Sequence, residues 1–216
     1  MNEEENEKIT VVVGIDFGSS GSGYAFSFMN DNKIYHLDIE GVDADKKIPT
    51  EIILDEKNEV LQFGYKCNEY LKEKGVNAGH YFKGIKMHLY KKETTIKSSN
   101  SNKSLPIKIV IQKVLERLKD ICLDQINKSW NDIEESNIKW VVTVPAIWGD
   151  FEKSIMMDAC VEAGLVNIID DKSLFFALEP EAASLYCSRD DSINKDYEKR
   201  PVFRKLAQKS YYPKIS

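Results

Sequence analysis

The apolar positions of this chain change period three times, and the changes mark its elements. Residues 9–15 (ITVVVGI) form a nearly continuous apolar run, the pattern of a strand covered on both faces. Residues 24–28 alternate, and the polar MNDNK that follows (29–33) is a hairpin turn into a third strand at 34–37. The chain therefore opens as a meander. From residue 40 to 106 the pattern becomes irregular, with a short strand pair at 51–54 and 60–63 and a helix near 65–74. The polar run KSSNSNKS (97–104) is expected to be a mobile loop.

After Pro106 the period becomes helical. Ile107, Val110, Ile111, Val114, Leu118, Ile121 and Cys122 recur at spacings of three and four, which gives an amphipathic helix with one buried stripe. WVVTV (140–144) is a buried strand, and residues 151–163 form a second helix with Asp150 as N-cap and Gly164 as stop. A fifth strand is expected at 166–169, and SLFFAL leads into a third helix over 180–187, with Pro180 in its first turn.

The order β, β, β, module, α, β, α, β, α predicts an α/β fold: a ribonuclease-H-like lobe with a mixed five-stranded sheet, helices on both faces and an inserted α+β subdomain. The expected division is a disordered acidic start (1–8), a core from 9–39 and 107–188, the insert at 40–106, and a charged tail at 189–216.

Composition narrows the setting. The 216 residues carry 30 Lys and Arg against 35 Asp and Glu, a formal charge of −5, and no long basic patch, so neither nucleic acid nor a membrane surface is the expected partner. The four cysteines are widely spaced without a C-x-x-C pair and predict buried thiols in a reducing, cytoplasmic setting. The acidic start lacks the features of a signal peptide, and no apolar run has the length of a membrane span.

Candidate chemistry begins at GIDFGSSGSG (14–23). Its glycines let backbone approach an anion, and Ser19, Ser20 and Ser22 add hydroxyls, as a phosphate-holding turn requires. No lysine follows, so it is not a G-x-x-x-x-G-K-[ST] loop. Asp16, at the end of a buried strand, needs a compensating cation or water shell, and beside a phosphate its natural use is to order water around Mg²⁺. Taken alone the segment reads better as an ordinary hairpin capped by Asp16, since such turns are common. Two companions weigh against that: the loop after VVTVP at Pro145, and the Glu179-Pro180-Glu181 turn. Both fall at the carboxyl edge of the sheet, where open α/β sheets bind ligands. Glu179 there suits orienting an attacking water or taking part in the Mg²⁺ shell, while simple first-turn capping suits Glu181 more than Glu179.

These three segments, GIDFGSSGSGYAF, VVTVPAIWGDFEKSIMMDACVEAGL and ALEPEAASLY, resemble in order the nucleotide-binding segments of the heat shock protein 70 family, whose members have an actin-like ATPase core. The variants at Phe17, Ser19-Ser20-Gly21, PAIW and EPEAAS look most like its 12A/12B branch. The resemblance covers about residues 9–187. It implies ATP and Mg²⁺ as cofactors, with Asp16 organising metal-bound waters and Gly18, Ser19, Ser20 and Gly21 cradling phosphates. Glu179 matches the catalytic glutamate, and Pro145 matches the proline that acts as a switch between the ATPase lobe and substrate-binding events. Within FKGIKMHL (82–89), Lys86 matches the lysine that reaches the terminal phosphate, with Lys83 as the alternative and a solvated surface lysine as the plain one. The family's aromatic residue in the first loop is replaced by Gly21, which alters the expected phosphate geometry.

The resemblance also implies a second lobe with its own phosphate loop and adenosine pocket, and the residues after Cys187 show neither pattern. The expectation is a lobe I fragment of a chaperone-like ATPase, from a truncated product, an incomplete gene model or a deliberate fragment. Its activity alone would be weak or absent, with ATP or ADP, client polypeptides or a protein completing the cleft as partners. A non-catalytic interaction module on the same lobe is the alternative. A ribonuclease-H-like nuclease ranks last, because it needs more clustered carboxylates than Asp16 and Glu179.

Overall fold

The computed structural model describes residues 10–31, 33–37, 47–130, 133–165 and 174–183. The first hairpin is β1 (Val11–Asp16) and β2 (Gly21–Phe28), followed by the two-residue β3 (Tyr35–His36) and β4 (Ile48–Pro49). Strand β2 begins three residues earlier than the alternation at 24–28 predicts, because Ser22 is buried and extends the inward-facing set. Strand β1 also departs from expectation. Val11, Val13 and Ile15 are fully buried, whereas Val12 and Gly14 are only part-covered, so the strand has one core face rather than two.

A compact module follows. Its strands β5 (Ile52–Leu54) and β6 (Val60–Phe63) lead to helix α1 (Lys66–Lys74), then to β7 (His80–Phe82), helix α2 (Ile85–Tyr90) and the hairpin β8 (Thr95–Lys97) with β9 (Ser104–Pro106). Strands β6, β5 and β7 make a three-stranded sheet in that order. The segment expected to be a mobile loop is instead the closed end of the β8–β9 hairpin. Ser98 N–H donates to Lys103 O at 2.8 Å, and Asn100 accepts from Tyr81 N–H at 2.8 Å and donates to Gly79 O at 3.0 Å. The Ser and Asn side chains that made the run look unstructured are its ties to β7.

Helix α3 (Ile107–Ser129) buries Ile107, Val110, Ile111, Val114, Leu115, Leu118, Cys122 and Ile126 along one stripe, as the spacing predicts. It leads to β10 (Ile138–Val144) and to α4 (Asp150–Glu162), which packs on α3. Asp150 is the first helical residue rather than the cap. Gly149 holds the cap position, and its N–H is satisfied by the Glu152 carboxylate at 3.0 Å. Gly164 ends the helix at φ 69°, with Leu165 N–H closing onto Cys160 O at 3.0 Å.

The last strand is β11 (Leu174–Leu178), formed by the SLFFAL segment that the sequence places before a helix. A five-residue apolar run with two Phe suits a strand paired to a buried neighbour. The strand expected at 166–169 lies outside the described residues, and of the helix expected over 180–187 only residues up to 183 are described, all helical.

The main sheet runs β11-β10-β1-β2-β3, with β4 also on β2. The β1–β10 and β10–β11 pairs are parallel and the remainder antiparallel, so the sheet is mixed. One large core fills the space between this sheet and the helices, built on Trp140, Phe17, Phe26, Ile15, Val142 and the α3 stripe. Ile53, Cys67 and Tyr81 form a separate small cluster inside the module.

Candidate functional site

Parallel pairing brings three chain segments to one edge. In the β1–β10 register Asp16 lies opposite Thr143, and in β10–β11 Val144 lies opposite Leu178, so Glu179 emerges beside the end of β10. Asp16 is the centre of a small network. Its Oδ1 accepts the Thr143 hydroxyl at 3.0 Å, and its Oδ2 is ion-paired with the Lys47 ammonium. The carboxylate stays partly exposed.

The turn beyond Asp16 is held by hydroxyl bonds from Ser22 on β2 and from Thr50 just after β4. Thr50 has one hydroxyl proton and gives it to Gly18 O at 2.8 Å. The 2.8 Å contact between Ser22 and Thr50 hydroxyls is therefore donated by Ser22, which leaves the Ser22 oxygen to accept Gly18 N–H at 3.2 Å. Thr50 N–H completes the brace on Ser20 O at 3.1 Å. Glycine is obligatory at position 18, where an added Cβ would stand 2.1 Å from Gly21 O. With Gly18 turned inward, Ser19 and Ser20 form the exposed tip, and Phe17 is buried as its anchor.

Helix α2 supplies the buried cation. Gly84 at φ 64° swings the chain from β7 into the helix, a left-handed conformation suited to glycine. Lys86 then reaches across with its side chain only 8% exposed. Its Nζ donates to Phe17 O at 2.6 Å and to Glu179 Oε1 at 2.5 Å, and lies 5.5 Å from the centre of the Trp148 ring. Lys83 points elsewhere, over the Tyr81 ring at 5.6 Å, and is exposed. Pro145 ends β10 and its carbonyl accepts Trp148 N–H at 3.1 Å, which turns Trp148 inward and leaves Ile147 exposed.

This donor set fits a hydrated divalent cation beside a phosphate. Among the described residues no group of three or more His, Cys, Asp or Glu is placed to strip and hold a metal, and one partly exposed carboxylate suits an ion that keeps its waters. Away from the edge, Cys67, Cys122 and Cys160 are buried and unpaired, and burial pushes each thiol up to about 12, with the Glu51 charge adding to the effect at Cys67. Cys187 lies outside the described residues. Among the described residues no helix is long and apolar enough to cross a membrane.

Asp16, Gly18, Ser19, Ser20, Gly21, Lys86, Pro145 and Glu179 thus share one edge of the sheet, while Lys83 does not. Sequence reasoning missed Thr143, Thr50, Lys47 and Trp148 as members, and it read Ser22 as a phosphate donor, whereas its buried hydroxyl braces the hairpin. Thr143 was within reach, since parallel pairing of two buried strands aligns it with Asp16. Thr50 and Lys47 carry no local signal, because the antiparallel contact of KIPT (47–50) with the hairpin is long-range.

No protein-family model matches the chain. Among curated proteins, the human Heat shock 70 kDa protein 12A is 32% identical over 202 residues, covering 87% of this chain. Its mouse counterpart is 33% identical over 199 residues and human Heat shock 70 kDa protein 12B 33% over 198, each covering 86%. The chain spans about 30% of the length of these relatives. The similarity read from three motifs therefore extends along most of the chain, and it does not favour the alternative of a non-catalytic interaction module on the same lobe.

Proposed function

We propose that this chain, a relative of the heat shock 70 kDa proteins 12A and 12B, is one lobe of an actin-like, nucleotide-binding cleft that grips the phosphates of ATP. The observation that carries this is the convergence of Asp16, Lys86 and Glu179 around the braced Gly18 hairpin. In this reading Gly18 and Gly21 give the hairpin its close-packed shape, and Ser19 and Ser20 face the phosphates. Asp16, oriented by Thr143, holds water around Mg²⁺. When bound, Mg²⁺ neutralises charge on the phosphate oxygens. Lys86 keeps Glu179 at the edge and presents positive charge toward the terminal phosphate, and Glu179 orients the attacking water. Trp148 covers Lys86 and limits its solvation.

The opposing phosphate loop and the adenosine pocket are proposed to come from a second lobe or a partner protein. A chaperone-like role with client polypeptides, and a cytoplasmic setting in which three buried thiols remain reduced, belong to the same proposal. Calorimetry with Mg-ATP tests it. Binding heat with a dissociation constant of about 1 mM is expected, equivalent to ~4 kcal/mol, and it should vanish in Asp16→Asn. Absence of heat at millimolar nucleotide overturns ATP binding by this chain.

A further inference from the structure

Lys47 is a cation in the site that the proposed mechanism does not use. Its backbone is fixed next to β4, with Tyr65 donating its hydroxyl to Lys47 O at 2.8 Å. Its stem lies flat on the hairpin, its Cβ only 3.0 Å from where a Cβ on Gly21 would stand and its Cγ 3.8 Å from that of Gly23. Gly21 therefore leaves the room this side chain needs, and Gly23 lies alongside it. The ammonium ends on Asp16 Oδ2, the carboxylate assigned above to a hydrated cation. Lys86 is almost wholly covered and already bonded to Glu179 and Phe17 O, whereas the Lys47 side chain is 56% exposed. A flexible four-carbon stem lets the Lys47 charge move while its base stays fixed.

We propose that Lys47 is a phosphate-binding residue held in reserve on Asp16, an inference that rests on the nucleotide reading above. A divalent cation and an ammonium repel each other at one carboxylate. A hydrated Mg²⁺ therefore releases Lys47 from Asp16, and the freed ammonium pairs with phosphate oxygens at the Ser19–Ser20 tip. The lysine absent from the loop sequence is thus supplied by the strand laid across it.

Residue-resolved lysine acylation, read by mass spectrometry alongside calorimetry, tests this on the full chain with ATP, adenosine and Mg²⁺ as probes. Mg²⁺ with adenosine should leave Lys47 reactive, and Mg-ATP should slow its acylation at least about fivefold. Lys47→Met should weaken ATP binding about tenfold, while Lys47→Arg restores it and both variants keep the parent melting temperature within a few degrees. If ATP binds with heat yet Lys47 reactivity is unchanged and Lys47→Met binds equally well, the Lys47 role is overturned and the nucleotide reading stands. If no protein gives heat at millimolar ATP, both fall together.

Discussion

The main sheet and the module between residues 47 and 106 serve one site by different means. The sheet uses length and register: Val13 faces Trp140, Asp16 faces Thr143, and the parallel strands carry Asp16 and Glu179 to a common edge. The module uses short strands and a six-residue helix to deliver side chains, with Thr50 bracing the hairpin, Lys47 on Asp16 and Lys86 on Glu179. Position comes from one region and much of the site's polar chemistry from the other. Damage to the first should therefore unfold the protein, and damage to the second should disable the site with a smaller loss of stability.

The largest effect belongs to the sheet. Trp140→Ala removes the largest fully buried side chain and should cost about 4 kcal/mol, seen as one cooperative shift in chemical denaturation. A module that melted separately under this substitution would contradict the idea of a single shared core. Next is Gly18→Ala, where the Cβ meets a backbone carbonyl that cannot yield. A loss of about 2–3 kcal/mol is expected, together with loss of phosphate binding. A variant with unchanged melting temperature would show that the hairpin relaxes freely.

Thr50→Val probes the module's contribution alone. It leaves the Ser22 hydroxyl and Gly18 O without their partner and should cost about 1–2 kcal/mol. Amide exchange should accelerate at Gly18–Ser22 while β10 stays protected. Equal acceleration in β10 would erase the contrast between the two regions.

The smallest effect distinguishes the regions by pH. Cys122 and Cys160 lie in the main core and Cys67 in the module's own cluster, and all three thiols are raised from 9.0 to about 12. A raised thiol keeps its full contribution below pH 9 and loses it as pH climbs toward 12, because only the unfolded chain ionises in that window. The expected loss is about 1 kcal/mol per thiol by pH 10. Cys→Ala variants at each position should flatten the alkaline decline one increment at a time, and an unchanged slope would show that the thiols already meet solvent.

Part of the main core was legible because burial there has a period. The α3 stripe and the WVVTV strand follow from spacing and apolar content, whereas the first hairpin was placed but its β1 faces and β2 start were misread. The SLFFAL strand was not legible, since a short apolar run before a proline suits either a strand or a helix approach, and pairing with β10 decides it. In the module, KSSNSNKS has the composition of a loop, and its order comes from Asn100 and Ser98 reaching β7, contacts that no local pattern encodes. The site divides the same way. Asp16, the Gly/Ser turn and Glu179 announce themselves by residue type at strand ends. The sequence favours Lys86 over Lys83 for the apolar residue that follows it, and the direction of α2 separates the two, whereas Lys47 and Thr50 emerge only once KIPT (47–50) lies across the hairpin.

The central claim, that this edge binds nucleotide phosphates, is tested most directly by titrating ATP with Mg²⁺ into isotope-labelled protein and following backbone amide shifts. Millimolar affinity is well within the range of that method. Saturable shifts concentrated at Asp16–Gly21, Lys86 and Thr143, absent with adenosine, are the predicted result. Shifts that are absent at 10-fold excess over ~1 mM, or that cluster away from the Gly18 hairpin, would contradict it.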